Sequence, residues 1–497
     1  MGGEGHREVG RIGKEKKIDE FLNVVPKKES KLEDISAQSE RRLFTWTGHP
    51  FTDAGLVALL LINDKKKPEE LTAEGIKRAV KFASELYARK EWSSGYIHAM
   101  MMPNSGILMA NPSMAKKRTP EAIEKSLLSL LDEPEDENGP ICEICGRRHA
   151  REKPVYRSDF PLVGTGGIPN YFPSGKDGAN ICSHCVFLTQ LMPLVAYRLS
   201  RILIVHAYPY ELMLELHRDA FDDVVKTQLA SNAKNFRRPE NFFFHLIGEL
   251  MRKIEHSELW KNTSVTLYHF VNNNQGQELD VIHIPNQALR FVAYASLADS
   301  SGWRRIVSMG WRKRPSDEEF AEYERRYSNE VYSRLINGQS ILPYFIDKAN
   351  RQVNSKWELL QFYCSEVLGL DEKALEFIKD VGDRVVETLE KLPDNKLKRR
   401  VRELENATKL YQFEAFFVGL EKLRQELNIE KPLMTFDEFA RILTSYGEDF
   451  NVSWKTVKNL LLFRIYEKLH GRLIRKEEIE EEEAEEVEIY GFGGEEA

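Results

Sequence analysis

The sequence predicts an α+β protein: a mixed N-terminal α/β domain carrying a cysteine-rich insertion, followed by a C-terminal helical bundle. Three observations lead there. At 497 residues the chain exceeds one ordinary core, so two or three domains are expected. Two alternating runs, 265–271 and 278–284, flank NNNQGQ and read as a β-hairpin around an Asn/Gly turn. Past about residue 340 strand signals fade and three-to-four spacing takes over, as at Ala374, Leu375, Ile378, Val381 and Val385.

The elements follow in order. Residues 1–40 are a charged lead-in without clear periodicity. Domain order is expected to run over 41–335, beginning where β-prone residues at 43–47 meet Gly48-His49-Pro50. The apolar run 53–62 that follows is too short to span a bilayer and is expected to be buried. Ile76, Ala79, Val80, Ala83, Leu86 and Tyr87 form one helical stripe. Thr119-Pro120-Glu121 supplies a capping hydroxyl, a proline at the first helical position and an acid at the positive dipole end, so a second helix is expected there, stopping before Pro134.

Residues 138–190 change character to a Gly/Pro-rich insertion bracketed by cysteine pairs, and 336–470 read as the bundle. Within it, Thr435-Phe436-Asp437-Glu438 is a capping box, and Ser453 is expected to cap the last helix. Residues 471–497 are an acidic tail: the last 21 residues hold 11 Glu and no Lys or Arg. Like charges repel, so disorder is expected there. With a net charge of −7 overall, that tail leaves residues 1–476 at +4, a mildly basic body.

Composition excludes some classes. Charged residues make up 30% of the chain and cysteine occurs five times, a soluble intracellular pattern rather than a disulfide scaffold. The polar start lacks the apolar stretch of a signal peptide. The longest apolar candidate, 186–207, is broken by Pro193, Arg198 and Arg201, so no membrane span is expected and a cytoplasmic location is.

Cys142-Glu143-Ile144-Cys145-Gly146 and Cys182-Ser183-His184-Cys185 are the strongest chemical signal. Two intervening residues let both thiolates of a pair reach one ion, and four sulfurs satisfy tetrahedral zinc. The 36 residues between the pairs exceed ordinary ribbon spacing, so the cysteines are expected to clamp the base of an insertion. Four thiolates leave no open position, which makes the zinc structural. His149 and His184 are nearby polar residues that could substitute as ligands, and Cys364 reads as a small core residue.

Candidate nucleic-acid residues are the basic clusters Lys116-Lys117-Arg118, Arg237-Arg238, Arg304-Arg305, Arg312-Lys313-Arg314 and Lys398-Arg399-Arg400, each also explicable as a solvated charged face. Gly164-Thr165-Gly166-Gly167 would let backbone approach a sugar-phosphate chain, or is simply a loop. Asn104 can meet a base edge or stabilise a turn. Phe236 and Phe242-Phe243-Phe244 mix with the cations as stacking surfaces do, although core packing also explains them; three consecutive rings cannot share one face, so one is expected at the surface. Gly175-Lys176 fails a P-loop, HExxH and GxSxG are missing, and no histidine adjoins an aspartate, which together favour a binding protein over an enzyme.

The cysteine pairs, TWTGHPFTDAGL at 45–56, MMPNSGILMANPSM at 101–114 and the helical C-terminal third together resemble the CRISPR-associated CXXC–CXXC family, large subunits of type I (I-A/I-B-like) Cascade. The resemblance implies a non-enzymatic subunit that helps recognise the protospacer-adjacent motif in double-stranded target DNA and stabilises the opened target. Its implied partners are CRISPR RNA, the backbone, handle-binding and small subunits, and the helicase-nuclease it docks. Two alternatives stand beside it: a zinc-stapled metal-dependent nuclease, and a zinc-containing protein-binding adaptor.

Overall fold

A computed structural model describes residues 44–134, 136–151, 153–166, 177–253, 262–435, 437–438 and 450–474. The lead-in 1–40, Gly167, Gly175-Lys176 and all but the first residues of the acidic tail lie outside them. The chain divides into two compact units between Ile341 and Leu342, where the sequence placed a boundary at 335/336.

The first unit is built on the Pro50–Ile62 helix, every residue of which is buried. A helix apolar on all sides must be enclosed on all sides. It packs against the Ser183–Leu191 helix, the Tyr210–Thr227 helix and the sheet. Among the described residues, the β-prone 44–47 before it form no strand: they lead into the helix cap, where the His49 ring Nδ1 accepts from the Phe51 N–H at 3.3 Å. Pro50 then takes the first helical position, where its missing N–H costs nothing.

The expected amphipathic helix spans Ala73–Tyr87 and is capped by Thr72, whose hydroxyl accepts from the Gly75 N–H at 3.1 Å. The next expected helix spans Pro120–Ser129, with the Thr119 hydroxyl accepting from Ala122. Between them, Ser93–Met101 widens to a π-helix and delivers the chain to the Asn104 loop.

The sheet is antiparallel in the order β1 (Tyr197–Arg198), β2 (Ile202–Tyr208), β3 (Ser264–Asn273), β4 (Gly276–Ile284). The expected hairpin is β3–β4, closed by Asn274 and Gln275, with Asn273 paired to Gly276. Asn273 Oδ1 accepts from the N–H groups of Gln275 and Gly276 at 2.9 and 3.0 Å, which is how an asparagine fixes such a turn. β2 is central and almost wholly buried, while β4 is an exposed edge.

Phe236, Phe242, Phe243 and Phe244 are all at most 3% exposed. The sequence argument put one at the surface; instead the Pro239–Lys253 helix is covered on several sides, with Phe242 against Tyr197 and Phe244 against Tyr332. No ring of that group is offered for stacking.

The second unit holds the short ribbon β5 (Ile346–Asp347) and β6 (Gln352–Val353) and a set of helices. Glu372–Glu390 buries Leu375, Ile378, Val381 and Val385 of the expected stripe and leaves Ala374 half-buried. Phe450–Leu473 packs against the Glu372–Glu390, Asp394–Asn406 and Leu410–Glu426 helices. Because that helix is already formed at Phe450, Ser453 lies inside it and is not its cap. The Thr435 capping box is present: the Thr435 N–H donates to Glu438 at 2.7 Å and the Glu438 N–H donates back to the Thr435 hydroxyl at 3.2 Å. Cys364 is fully buried in the Trp357–Glu366 helix, and burial pushes its thiol pKa up.

Candidate metal centre and basic surfaces

Each cysteine pair sits in a different local structure. The first is a tight knuckle: Ile141 bridges Arg148, the Cys142 N–H donates to Arg147 O at 2.8 Å, and the Gly146 N–H donates to Cys142 O at 2.9 Å. Gly146 takes φ +72°, the left-handed conformation that returns the chain after the second thiol. The second pair opens a helix. Cys182 is its N-cap and Cys185 lies in the first turn, where backbone N–H groups and the helix dipole favour thiolates.

Folding brings all four Sγ atoms within 4.8 Å of one another. Cys142 and Cys185 are 3.9 Å apart, and Cys145 and Cys182 are 3.7 Å apart. These separations far exceed a disulfide bond of about 2.05 Å. They match the edges of a tetrahedron with sulfurs about 2.3 Å from its centre, which are roughly 3.8 Å long. The donor set and its spacing therefore fit one thiophilic metal ion.

Electrostatics point the same way. Hydrogen bonds from Cys145, Cys182 and Cys185 hold Cys142 far below the ordinary thiol range. Bonding to that same sulfur and burial push Cys182 and Cys185 well above it. Cys145 is lowered as well, so two of the crowded thiols yield a proton readily and two resist; a cation at the centre would favour all four as thiolates.

The neighbouring histidines take other places. His149 is 3% exposed, with Nδ1 3.7 Å from Glu133, and neither ring nitrogen makes a hydrogen bond. Glu133 instead accepts from the Ser183 N–H at 2.7 Å, tying the segment before the knuckle to the first turn of the cysteine helix. His184 packs its ring edge-on to Phe44. Among the described residues, the four cysteines are the group that gathers as metal ligands.

Residues 135–197 match the family model of a CRISPR-associated protein, Cas_CXXC_CXXC. The matched segment contains both cysteine pairs and the helix that follows the second. It supports the CRISPR-associated CXXC–CXXC resemblance and a role in CRISPR defence. No curated protein and no solved structure matches the chain. Among the described residues, no helix is long and apolar enough to cross a membrane.

Two further motifs of the Cas_CXXC_CXXC resemblance lie outside the matched segment, and the structure gives each a local role. In 45–56, Asp53 is fully buried and accepts from Thr47 N and Oγ1, from Gly48 N, and faces His206 Nε2 at 3.1 Å. Trp46 stacks on Tyr210 at 4.1 Å. Burial, against the pull of Asp53, lowers the His49 pKa to about 4, so this histidine is neutral at physiological pH. Sequence reasoning found no His–Asp neighbours; His206 and Asp53 meet across 153 positions, and no local signal announces them.

In 101–114, Asn104 takes φ +62° and joins a polar cluster. Its N–H donates to His98, its amide donates to Asn274 at the hairpin tip, and its Oδ1 accepts from Asn111. Nearby, Arg118 donates to Met109 O at 3.1 Å and Asn111 O at 3.4 Å, fastening the loop from within. Lys116 and Lys117 are exposed beside it.

The remaining candidates scatter. Gly164 O accepts from the Arg157 N–H, and Thr165 and Gly166 continue a loop toward undescribed residues. Arg304 is engaged by Asp317 and lies over the Phe320 ring at 4.4 Å. Arg305, Arg312, Lys313 and Arg314 are exposed. In the second unit Lys398 is 5% exposed, Arg399 is exposed, and Arg400 pairs with Glu403 at 2.8 Å. Arg237 and Arg238 face outward into a groove with arginines that sequence reasoning did not join to them.

Proposed function

We propose that this chain is the large subunit of a type I Cascade, a non-enzymatic cytoplasmic protein that helps recognise the protospacer-adjacent motif, steadies the opened target strands and docks the helicase-nuclease. The observation that carries this reading is the coincidence of the family match with four converging sulfurs. CRISPR RNA, double-stranded target DNA, and the backbone, handle-binding and small subunits are its partners on this reading.

Zinc is the ion we assign to Cys142, Cys145, Cys182 and Cys185, because a closed all-thiolate tetrahedron is the site zinc occupies as a structural ion. When bound it supplies a cross-link and no catalytic position. The residues do the rest: the knuckle and the helix N-terminus orient the sulfurs, and Glu133 ties the segment before the knuckle to the cysteine helix. The exposed cations lie on a body of net charge +4, which suits phosphate contacts that position a duplex.

The test is reconstitution with and without this chain. The complete complex is expected to discriminate between flanking motifs, and the complex lacking it to lose that discrimination. Equal discrimination by both would overturn the proposal. Incubation of the pure chain with Mg²⁺ or Mn²⁺ and labelled nucleic acid addresses the nuclease reading, which requires cleavage that disappears on changing His149 or His184.

A further inference from the structure

We propose that the groove lined by Arg198, Arg237, Arg238, Arg325 and Arg326 binds the sugar-phosphate backbone of a single nucleic-acid strand. The five guanidinium groups come from three separate segments: β1, the loop before the Pro239–Lys253 helix, and the end of the Phe320–Arg326 helix. Backbone bonds hold those segments together. The Arg198 N–H donates to Ser231 O, and the Arg237 N–H donates to Arg325 O, both at 2.9 Å.

Charge in the groove is nearly all of one sign. Glu322 is its one acidic lining residue, and it already pairs with Arg326 at 2.8 Å. Arg237, Arg238 and Arg325 are exposed, and among the described residues no carboxylate is seen to pair with them. Arg198 lies over the Tyr96 ring at 5.9 Å, which orients it without neutralising it. Converging unpaired guanidinium groups repel one another, and their planar forks match phosphate oxygens.

The loop is also shaped in an uncommon way. Ala233, Lys234 and Asn235 take φ +47°, +53° and +65°, three successive left-handed residues without a glycine among them. Such a run persists only where its surroundings enforce it, and it occurs preferentially at ligand sites. It exposes Asn232 and Asn235 on the groove wall, adding neutral amide donors beside the arginines.

Size and lining decide which part of a nucleic acid enters. A hollow of about 1070 Å³ is on the scale of a large small-molecule site, with room for a few nucleotides of one strand. The aromatic side chain in its wall, Phe236, is 3% exposed and turned onto Phe242 and His245, so bases find no ring to stack on. Guanidinium and amide donors without a stacking platform recognise phosphates rather than bases.

This site deepens the proposed function by naming a strand-binding surface, and it rests on that reading only for which strand is held. The test uses the intact, zinc-loaded chain and fluorescence anisotropy with ten-nucleotide RNA, DNA and abasic DNA strands over a salt series. The expected result is that the abasic strand binds within about threefold of the base-bearing DNA strand. Arg237→Glu/Arg325→Glu should weaken binding at least tenfold and lower the salt slope by about two. Arg237→Gln/Arg325→Gln should give a smaller loss with an unchanged melting temperature, and Arg78→Glu/Lys90→Glu, an equal charge change elsewhere, should alter affinity less than twofold.

Unchanged affinity and slope in the groove variants, or loss of binding by the abasic strand, would overturn the proposal. So would a polyglutamate peptide that binds the groove when no strand does. Because no other subunit is present, this result is independent of the reconstitution: motif discrimination can fail while the groove still binds, and the reverse.

Discussion

Gly55 crosses Leu188 so closely that a β-carbon on Gly55 would lie 1.7 Å from the Leu188 carbonyl oxygen. This contact joins the buried Pro50–Ile62 helix to the helix whose first turn carries Cys185, so the cysteine cluster is fixed to the core through a glycine. Gly55→Ala should force the helices apart and cost about 3 kcal/mol or more. Urea unfolding of the variant checks this, and zinc content measured alongside should fall with it. Full stability and full zinc occupancy would show that the two helices are free to separate.

Removing a thiolate tests the centre directly. The purified chain should hold one zinc, and its four clustered cysteines should resist thiol reagents until a chelator is added. Cys185→Ser leaves three ligands around the ion and should lower the melting temperature by about 10 °C or more. Cys364→Ser shifts a buried thiol unrelated to the centre, so it should retain zinc. Elemental analysis together with thermal unfolding distinguishes the two. Loss of zinc in both would point to global unfolding instead.

How much of this was legible in the sequence depends on the reach of each signal. Thr72, Thr119 and the Thr435/Glu438 pair announce their helices because a cap is a bond across three residues. The Asn273 turn is local in the same way. The cysteine pairs were readable because each is a local device and thiols are scarce here; their convergence across some 40 positions was an inference from chemistry. Asp53 with His206, and Arg198 with Arg325, carry no local pattern, since their meeting is set by how helices and sheet pack. Phe242, Phe243 and Phe244 show the reverse failure: helical periodicity allots one face to the core, yet that helix is enclosed on several.

A histidine beneath the arginine groove gives a pH dependence. His245 Nδ1 lies 2.9 Å from Glu324 and Nε2 lies 3.4 Å from Glu249, which also pairs with Lys234. Burial alone would depress His245, but the bonds to both carboxylates overcome it and push its pKa from 6.5 to about 9. A raised pKa in the folded state means stabilisation that is complete below about pH 6.5 and lost as pH climbs through 9. The first unit should therefore lose stability between those values, and His245→Gln should flatten that slope. NMR titration of the His245 ring gives the pKa itself; a midpoint near 6.5 would remove the argument.

In the second unit the buried cation Arg424 offers the sharpest contrast. Its guanidinium donates to Arg384 O at 3.0 Å, Thr388 Oγ1 at 2.7 Å and Lys431 O at 2.7 Å, while its carboxylate neighbour Glu387 is half exposed at 3.2 Å. Arg424→Met takes a fully buried donor away from the Lys431 and Arg384 carbonyl oxygens and from Thr388 and should cost roughly 3 kcal/mol. Glu387→Gln removes an exposed partner and should cost about 0.5 kcal/mol or less. Hydrogen exchange of the amides around 384–388 reads both variants in the full chain. The first should lose protection there and the second keep it; equal loss would mean that the ion pair, and not the carbonyl contacts, holds Arg424 in place.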